Sequence, residues 1–270
     1  MPKISAIVTT FNRKEFLTET VNAILNQTYA DFELIIVDNY SNYHFFGLIE
    51  SFNDKRIKAY QNQNNGVIAI NRNVGIQHAT GEYLAFCDDD DIWLPKKLNE
   101  QINFVENNNL KDEKIVLYSN SIEFKEDGSN SVTKKKKIIT SKDLIKSNEV
   151  SFSSSFFSNN LNNLKFNELP EFFAVEDYIF WMQLNLSGFT FHLQEEALIR
   201  YRVLKTSSSA LNYGVNHLRI IIAITYISIN KKLKFKNQIQ VFKSIFINVL
   251  KYLAKRILKE MNLLSKKTSA

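Results

Sequence analysis

The sequence has 270 residues, of which 44% are hydrophobic, and this is enough to bury a large core. Seven glycines and three prolines argue against long disordered linkers, and the single cysteine, Cys87, excludes an intramolecular disulfide framework. The formal net charge of +6 is unevenly spread, because residues 231–270 carry +10 and the remainder of the chain carries −4.

The first half of the chain alternates short apolar runs with segments of helical periodicity. The predicted elements are strand 4–8, a helix capped by Asn12 with Glu15 as its N3 partner, strand 32–37, helix 45–52, strand 57–61, helix 67–78, strand 82–87, helix 96–107 and strand 115–119. This alternation predicts an α/β fold with a mainly parallel sheet covered by helices on both faces. Ligands bind such sheets at the carboxyl ends of the strands, so the residues that follow each strand are candidates for a site.

The second half is less regular. Its predicted elements are a hairpin over 123–137 with Asp127 and Gly128 at the turn, strand 150–158, helix 174–187 ended by Gly188, strands 189–194 and 197–203, and helical structure from 211 onward. No run is long and apolar enough to span a bilayer, and no signal peptide is expected at the N-terminus.

Residues 88–91 are all aspartates and follow the predicted strand 82–87. Side chains two apart on an extended segment point the same way, so Asp88 and Asp90 can face one ligand. A divalent cation bound to a diphosphate would neutralise such hard carboxylate ligands. The structural alternative is an acidic turn, or an N-cap for the helix that follows.

The segment 81–93 resembles the metal-binding segment of family 2 glycosyltransferases, which are inverting enzymes of the GT-A fold. Further matches follow the family's order along the chain, at residues 7–13, 26–28 with 32–38, 65–75 and 176–181. The resemblance covers roughly residues 3–205. It implies a GT-A catalytic domain over 1–205, with a nucleotide-sugar-binding half at 1–120 and an acceptor-binding half at 121–205, followed by a helical, basic amphipathic region at 206–270.

The resemblance implies the transfer of one sugar from a nucleotide-diphosphate sugar, a UDP-hexose or UDP-N-acetylhexosamine, to a hydroxyl of a glycan or lipid-linked glycan. Such reactions build bacterial surface polysaccharides such as lipopolysaccharide or capsule. It also implies Mn²⁺ or Mg²⁺ as the cofactor. The chain lacks the Gln-x-x-Arg-Trp block of processive relatives, which favours one sugar per encounter.

The resemblance also assigns roles to individual residues. Asp177 would be the general base, with Glu176 beside it shaping the acceptor site, and Asp90 and Asp88 would hold the metal. The residues implied to bind the nucleotide sugar are Thr9, Phe11, Asn12, Arg13, Asp38, Arg72, Asn73, Asp88, Asp89 and Arg202. Asp38 would accept a hydrogen bond from the imide N–H of a uracil or an equivalent base edge.

The chain departs from the family pattern at two places. Asn39 and Tyr40 stand where the family has a second acid and a glycine, which leaves the ribose contacts of this loop open. Leu204 occupies the place of a histidine that follows the family's arginine, here Arg202. The group that replaces this histidine is not determined by the sequence.

Two other function classes remain as alternatives. A non-catalytic nucleotide- or glycan-binding module would keep the fold without the reaction. A haloacid-dehalogenase-type phosphatase also uses paired aspartates after a strand, but Ile92 stands where that motif has threonine or valine. A dinucleotide dehydrogenase is disfavoured, because no Gly-x-Gly-x-x-Gly sequence follows the first strand.

The basic segment 231–267 predicts contact with an anionic membrane surface, with a core-closing helix or a dimer surface as the alternative. Nucleic acid is not expected as a partner, because the lysines are not interleaved with stacking aromatic residues. The expected location is the cytoplasm, with or without peripheral attachment to the inner face of the cytoplasmic membrane. The donor sugar, acceptor, linkage and oligomeric state are not determined by the sequence.

Overall fold

The computed structural model describes residues 3–138, 140–204, 213–230, 245–247 and 249–250. The strands are β1 (Ile4–Thr10), β2 (Phe32–Asp38), β3 (Ile57–Gln61), β4 (Tyr83–Asp88), β5 (Ile92–Trp93), β6 (Ile115–Lys125), β7 (Asn130–Thr133), β8 (Phe156–Ser158) and β9 (Thr190–Val203). The helices are α1 (Lys14–Leu25), α2 (Phe45–Ser51), α3 (Ile68–His78), α4 (Lys97–Asn107), α5 (Ser141–Lys146), α6 (Glu176–Leu186) and α7 (Tyr213–Asn230). Short 3-10 turns cover Phe152–Ser154 and Pro170–Phe172.

The described strands form one sheet in the order β3-β2-β1-β4-β8-β6-β9-β5, with β7 paired to β6. β3, β2, β1 and β4 are parallel, and β6 is parallel to β9. β8 is antiparallel to both β4 and β6, so β6 runs in the same direction as β4. The carboxyl ends of β1, β2, β4 and β6 therefore open on the same edge, and the predicted mainly parallel α/β sheet is confirmed.

Each face of the sheet is covered by its own apolar cluster. Ile7 of β1 packs on the face that carries α3 and α6, whereas Ala6 and Val8 pack on the face that carries α1 and α4. This is the two-residue alternation of a strand with both faces covered. It explains why every position of β1 and β2 is buried, with the polar side chains of Ser5 and Glu33 hydrogen-bonded to each other.

The predicted cap of α1 is wrong. The helix begins at Lys14, and Asn12 lies before it with a φ of 56°. The Asn12 backbone N–H donates to Ser41 Oγ at 2.8 Å, and Asn12 Oδ1 accepts a hydrogen bond from the Asn42 N–H at 2.8 Å. Asn12 is therefore occupied in joining the loop after β1 to the loop after β2, and its side chain does not cap α1.

The strand predicted over 150–158 is only partly present. Residues 152–154 form a 3-10 turn, and β8 is confined to the last three residues of the segment. Ser154 Oγ donates to the Ser151 carbonyl, and Ser155 Oγ donates to the Phe152 carbonyl. Such local bonds from serine hydroxyls to the backbone favour a turn over an extended strand.

Two predicted strands, 189–194 and 197–203, are one continuous strand, β9. Its pairing with β6 changes register between Ser119 and Ser121, so the intervening residues form an irregularity and do not end the strand. Bulges of this kind re-aim side chains near the end of a sheet. The predicted hairpin at Asp127 and Gly128 is confirmed as β6 and β7.

Helix α5 was not predicted, although Thr140 and Asp143 form a capping box at its start. The helical structure predicted from 211 is confirmed over α7, which packs against the Pro170–Phe172 turn. The division of the chain at 205/206 stays a prediction, because residues 205–212 lie outside the described ranges, as does most of the chain after 230. Within the described residues, no helix combines the length and apolar character needed to cross a bilayer.

We expect Gly81→Ala to destabilise the protein. A Cβ at Gly81 would lie 2.6 Å from the Ser5 backbone nitrogen and 2.7 Å from the Ile4 carbonyl carbon, and β1 is held in the centre of the sheet. The loss in the free energy of unfolding should be about 1–3 kcal/mol, measured by urea denaturation. Gly47→Ala is the matched control, because its Cβ would meet only the exposed His44 imidazole, which can turn away. Equal losses in the two variants would contradict this account.

Candidate active site

A cavity of about 460 Å³ opens at the carboxyl edge of β1 and β4. Its walls come from the loops after these strands, from α3, from the start of α6 and from β9. The predicted site residues that line it are Thr9, Phe11, Arg13, Arg72, Asp88, Asp89, Asp90, Glu176, Asp177 and Arg202. The fold therefore brings together residues that lie far apart in the sequence.

Asp88 and Asp90 present partly exposed carboxylates to this cavity, with 30% and 17% of their side-chain surface exposed. The Asp88 backbone N–H donates to Ser153 Oγ at 3.0 Å, which fixes the end of β4. Asp88 Oδ1 accepts a hydrogen bond from Arg72, and Asp90 Oδ2 accepts one from Arg13 at 2.7 Å. Burial, followed by the negative charges of the neighbouring aspartates, raises the pKa of Asp90 to about 6.

Asp89 and Asp91 are almost fully buried, and Asp89 also contributes to the cavity wall. Asp89 accepts hydrogen bonds from Thr10 Oγ1 at 2.7 Å and from Arg13 at 3.0 Å. Asp91 Oδ2 accepts a hydrogen bond from Ser153 Oγ at 2.5 Å. Burial raises the pKa of both carboxyl groups. Within this acidic run, the outer pair faces the cavity and the inner pair anchors the loop.

The outer pair fits a divalent cation. Within the described part of the chain, no group of three or more histidine, cysteine or acidic side chains is placed to hold a metal on its own. Asp88 and Asp90 would supply two hard oxygen ligands, and the phosphate oxygens of a substrate would supply others. The raised pKa of Asp90 fits this chemistry, because the like charges around it would be relieved by a cation.

Arg72 lies buried between two acids from different parts of the chain. Its Nη1 donates to Glu176 Oε1 at 2.6 Å and its Nη2 donates to Asp88 Oδ1 at 3.1 Å. The guanidinium also stacks on the Phe152 ring, 3.6 Å from its centroid. Glu176 Oε2 is buried and accepts no hydrogen bond from the described residues. Arg72 therefore fixes the start of α6 against the end of β4.

Asp177 occupies the first turn of α6 and lines the cavity. Its Oδ2 accepts a hydrogen bond from Asn148 Nδ2 at 3.0 Å. Burial and the neighbouring charge of Glu176 raise the pKa of Asp177 to about 6. A carboxylate with such a pKa, facing a cavity, can accept a proton from a hydroxyl group brought against it.

Asp38 lies outside the cavity wall. Its carboxylate is fully buried and accepts hydrogen bonds from Ser41 Oγ at 2.5 Å and from Gln61 Nε2 at 2.9 Å. Its neighbour Asn39 lines the cavity instead. The predicted contact of Asp38 with a base stays a prediction, and in this structure its carboxylate holds the loop that carries Asn39.

Asn12 and Asn73 are also absent from the cavity wall. Asn73 Nδ2 donates to the Phe166 carbonyl at 2.9 Å and to Glu168 at 2.8 Å, and Asn73 Oδ1 accepts from the Phe166 N–H. Both asparagine side chains therefore hold neighbouring segments together through hydrogen bonds. Their predicted contacts with the nucleotide sugar remain predictions.

Arg202 lines the cavity, and two nitrogens of its guanidinium donate hydrogen bonds within the protein. Its Nε donates to the Asp90 carbonyl at 2.8 Å, its Nη2 to Glu19 at 2.5 Å, and its backbone N–H to Asp91 Oδ1 at 2.9 Å. Two phenylalanine rings flank the guanidinium, each 4.6 Å away. Arg202 therefore ties β9 to the acidic loop.

The sequence patterns do not indicate Ser153, Asn148 and Tyr201 as site residues. Ser153 and Asn148 reach the site from segments that no local pattern connects to it, because their partners are more than 25 residues away. Tyr201 lines the cavity directly beside Arg202. Its position next to a predicted site residue was the only signal in the sequence that could have identified it.

The family model described as "Glycosyl transferase family 2" matches residues 5–163. This chain belongs to glycosyl transferase family 2. The predicted family and enzyme class are thereby confirmed, and the matched region includes the whole acidic run and Arg72. Among named relatives, the GalNAc(5)-diNAcBac-PP-undecaprenol beta-1,3-glucosyltransferase of Campylobacter jejuni is 33% identical over 238 residues, covering 82% of this chain and 71% of that protein.

Solved structures support the GT-A fold of this family 2 glycosyltransferase. S. aureus TarS 1–349 in complex with UDP-GlcNAc superimposes with a TM-score of 0.70 at 21% identity, covering 93% of this chain and 73% of that one. The mannosyltransferase PcManGT from Pyrobaculum calidifontis, in complex with GDP-Man and Mn²⁺, gives a TM-score of 0.63 at 14% identity and covers 99% and 80%. At these identities the likeness establishes the fold.

We expect Arg72→Met to lower stability strongly, because it leaves the buried Glu176 carboxylate without its cation. The loss in the free energy of unfolding should be about 3–5 kcal/mol in urea denaturation. The double variant Arg72→Met with Glu176→Gln should recover part of this loss, because no buried charge is then left without a partner. A double variant less stable than Arg72→Met would show that the ion pair does not govern this region.

Proposed function

We propose that this glycosyltransferase moves one sugar from a UDP-sugar to a hydroxyl of a lipid-linked glycan, with inversion at the anomeric carbon. The observation that carries the proposal is that one cavity holds the carboxylates of Asp88 and Asp90 together with that of Asp177. The TarS complex with UDP-GlcNAc supports the UDP donor. The name of the Campylobacter relative, with its glycan on a diphosphate-undecaprenol carrier, supports the acceptor class.

The nucleotide end of the donor would lie against β1 and β2. Phe11 is 51% exposed at the cavity wall and offers an aromatic face to a base. Thr9 Oγ1 is buried and has no hydrogen-bond partner among the described residues, and Asn39 adds an amide with both donor and acceptor groups. Arg13 supplies a cation beside the acidic loop.

The sugar is transferred in one displacement. The acceptor oxygen bonds to the anomeric carbon as the bond from that carbon to the diphosphate oxygen breaks, and the hydroxyl proton passes to the Asp177 carboxylate. UDP leaves with the electron pair of the broken bond. Because attack comes from the side opposite the leaving group, the configuration inverts. Asn148 holds the receiving carboxylate in place.

Asp88 and Asp90 would hold the Mn²⁺ or Mg²⁺ ion. When bound, this ion supplies positive charge against the negative charge that builds on the departing diphosphate. The chain's own contribution is to orient the two carboxylates, which Arg72 and Arg13 do through their hydrogen bonds. The Mn²⁺ bound to PcManGT supports this assignment.

A lipid-linked acceptor would bring the reaction to a membrane surface. Residues 231–270 carry a net charge of +10 whereas the rest of the chain carries −4, and anionic lipid headgroups attract such basic segments. Among the residues that are described in this segment, the apolar side chains of Phe246, Ile247 and Leu250 are strongly exposed, at 64%, 48% and 49%. We therefore place the enzyme peripherally on the inner face of the cytoplasmic membrane, where lipid-linked glycans would meet a UDP-sugar.

Asp177→Asn should lower kcat by about 10²- to 10⁴-fold, because the amide cannot accept the hydroxyl proton. The KM for the UDP-sugar should change little.

In the wild type, kcat should rise between about pH 5 and 7 as Asp177 loses its proton, and it should be level above that range. Release of UDP in the presence of a lipid-linked acceptor measures both. Glu171→Gln, an exposed acid outside the cavity, is the control. Unchanged turnover of Asp177→Asn would remove it as the base.

Asp90→Asn should remove the effect of Mn²⁺ on donor binding. UDP should raise the melting temperature of the wild type more with Mn²⁺ than without it, because a tighter ligand stabilises the folded state more. The Asp90→Asn variant should show only the rise in melting temperature that UDP causes in the absence of Mn²⁺. Thermal shift with UDP measures the effect of Mn²⁺ on the melting temperature, and the same measurement with GDP and dTDP tests which nucleobase the enzyme prefers. Asp112→Asn, which changes an exposed acid, is the control. Donor binding by the wild type that ignores the cation would contradict the assignment of Asp90.

A further inference from the structure

Tyr201 lines the cavity, although it is not among the predicted site residues. It lies on β9 directly before Arg202 and lines the cavity, while its ring packs against the apolar cluster that includes Trp93 and Leu117. Arg202 bonds to Asp91 and to the Asp90 carbonyl, so the backbone at this point is locked onto the acidic loop. The phenol is therefore held in a defined position.

The Tyr201 hydroxyl forms no hydrogen bond with any side chain or backbone group of the described residues, although the residue is partly buried. Burial, and then the charges of Asp91, Asp88, Asp90 and Asp177, raise the pKa of Tyr201, so the phenol stays protonated. Tyr201 therefore brings to the cavity wall a hydrogen-bond donor that a ligand can use.

The family pattern suggests two residues beside the departing diphosphate, and only one of them can donate a hydrogen bond. Leu204 stands where a histidine is expected, and its buried aliphatic side chain cannot donate. Arg202 donates from its Nε and Nη2 to the Asp90 carbonyl and to Glu19, and its Nη1 makes no hydrogen bond with the described residues. Tyr201, directly before Arg202 on β9, adds a second donor to the wall of the same cavity.

We propose that the Tyr201 hydroxyl donates a hydrogen bond to the departing diphosphate of the donor sugar. The bond strengthens as negative charge builds on the diphosphate oxygen while its bond to the anomeric carbon breaks. Tyr201 thus acts on the leaving group from the same cavity wall as Arg202. This proposal rests on the proposed function and adds to it a catalytic residue for the leaving group.

Tyr201→Phe tests the proposal cleanly, because it keeps the ring that packs on the core and removes only the hydroxyl. We expect kcat to fall about 10- to 100-fold, which is what a hydrogen bond to a charged group is worth. Tyr83→Phe is the matched control, because its hydroxyl bonds to the Lys111 carbonyl, outside the cavity. A Tyr201→Phe enzyme with the turnover of the wild type would overturn the proposal.

A binding measurement separates this role from simple packing. Calorimetric titration measures the affinity for UDP and for uridine, both with Mn²⁺. The difference between the two binding free energies is the gain in affinity from the diphosphate. Tyr201→Phe should reduce that gain and leave uridine binding unchanged, whereas Tyr83→Phe should alter neither. Equal loss of UDP and uridine affinity would show a structural role and would overturn the proposal. Failure of the wild type to bind UDP would overturn the proposed function together with it.

Discussion

A buried guanidinium determines the arrangement of this site. Arg72 of α3 bonds to Asp88 at the end of β4 and to Glu176 at the start of α6, and it stacks on Phe152. Asp88 and Glu176 are separated by nearly ninety residues and would repel each other without a cation between them. Because removing water from charged groups is costly, a single arginine with several hydrogen bonds is an effective way to hold them close. The distance between the end of β4 and the start of α6, which face each other across the cavity, therefore depends on Arg72.

The acidic run illustrates how a strand end can carry four adjacent negative charges. Asp89 and Asp90 lie in a turn closed by the Asp91 N–H on the Asp88 carbonyl, and this turn buries Asp89 and Asp91, to which hydroxyl groups of Thr10 and Ser153 donate. Asp88 and Asp90 are left at the cavity with only part of their hydrogen-bonding capacity used. The inner pair anchors the loop and the outer pair is free for a ligand, so each half of the run has its own physical reason to be acidic.

The two ends of the cavity are built by different parts of the fold. In the proposed reaction, the parallel strands β1, β2 and β4 would supply the nucleotide side through their carboxyl ends. The acceptor side would come from α6 and from the segment after α5, where Asn148 donates to Asp177. β9 closes the site between them with Tyr201 and Arg202. A cavity shared by a strand edge, a helix start and a late strand suits a reaction in which two substrates must meet in line.

The sequence by itself determined the alternation of strands and helices in the first half of the chain, the mainly parallel sheet, the acidic loop at its edge and the family, because these depend on local periodicity and on motifs of consecutive residues. It also indicated most of the cavity wall, from Thr9 to Asp177. It did not indicate that Asp38, Asn12 and Asn73 would be used in joining loops, or that Ser153, Asn148 and Tyr201 would reach the site. Those outcomes depend on which side chains meet across segments far apart in the chain. Only the tertiary structure decides that, since hydrogen-bond partners and burial are set by packing and not by sequence spacing.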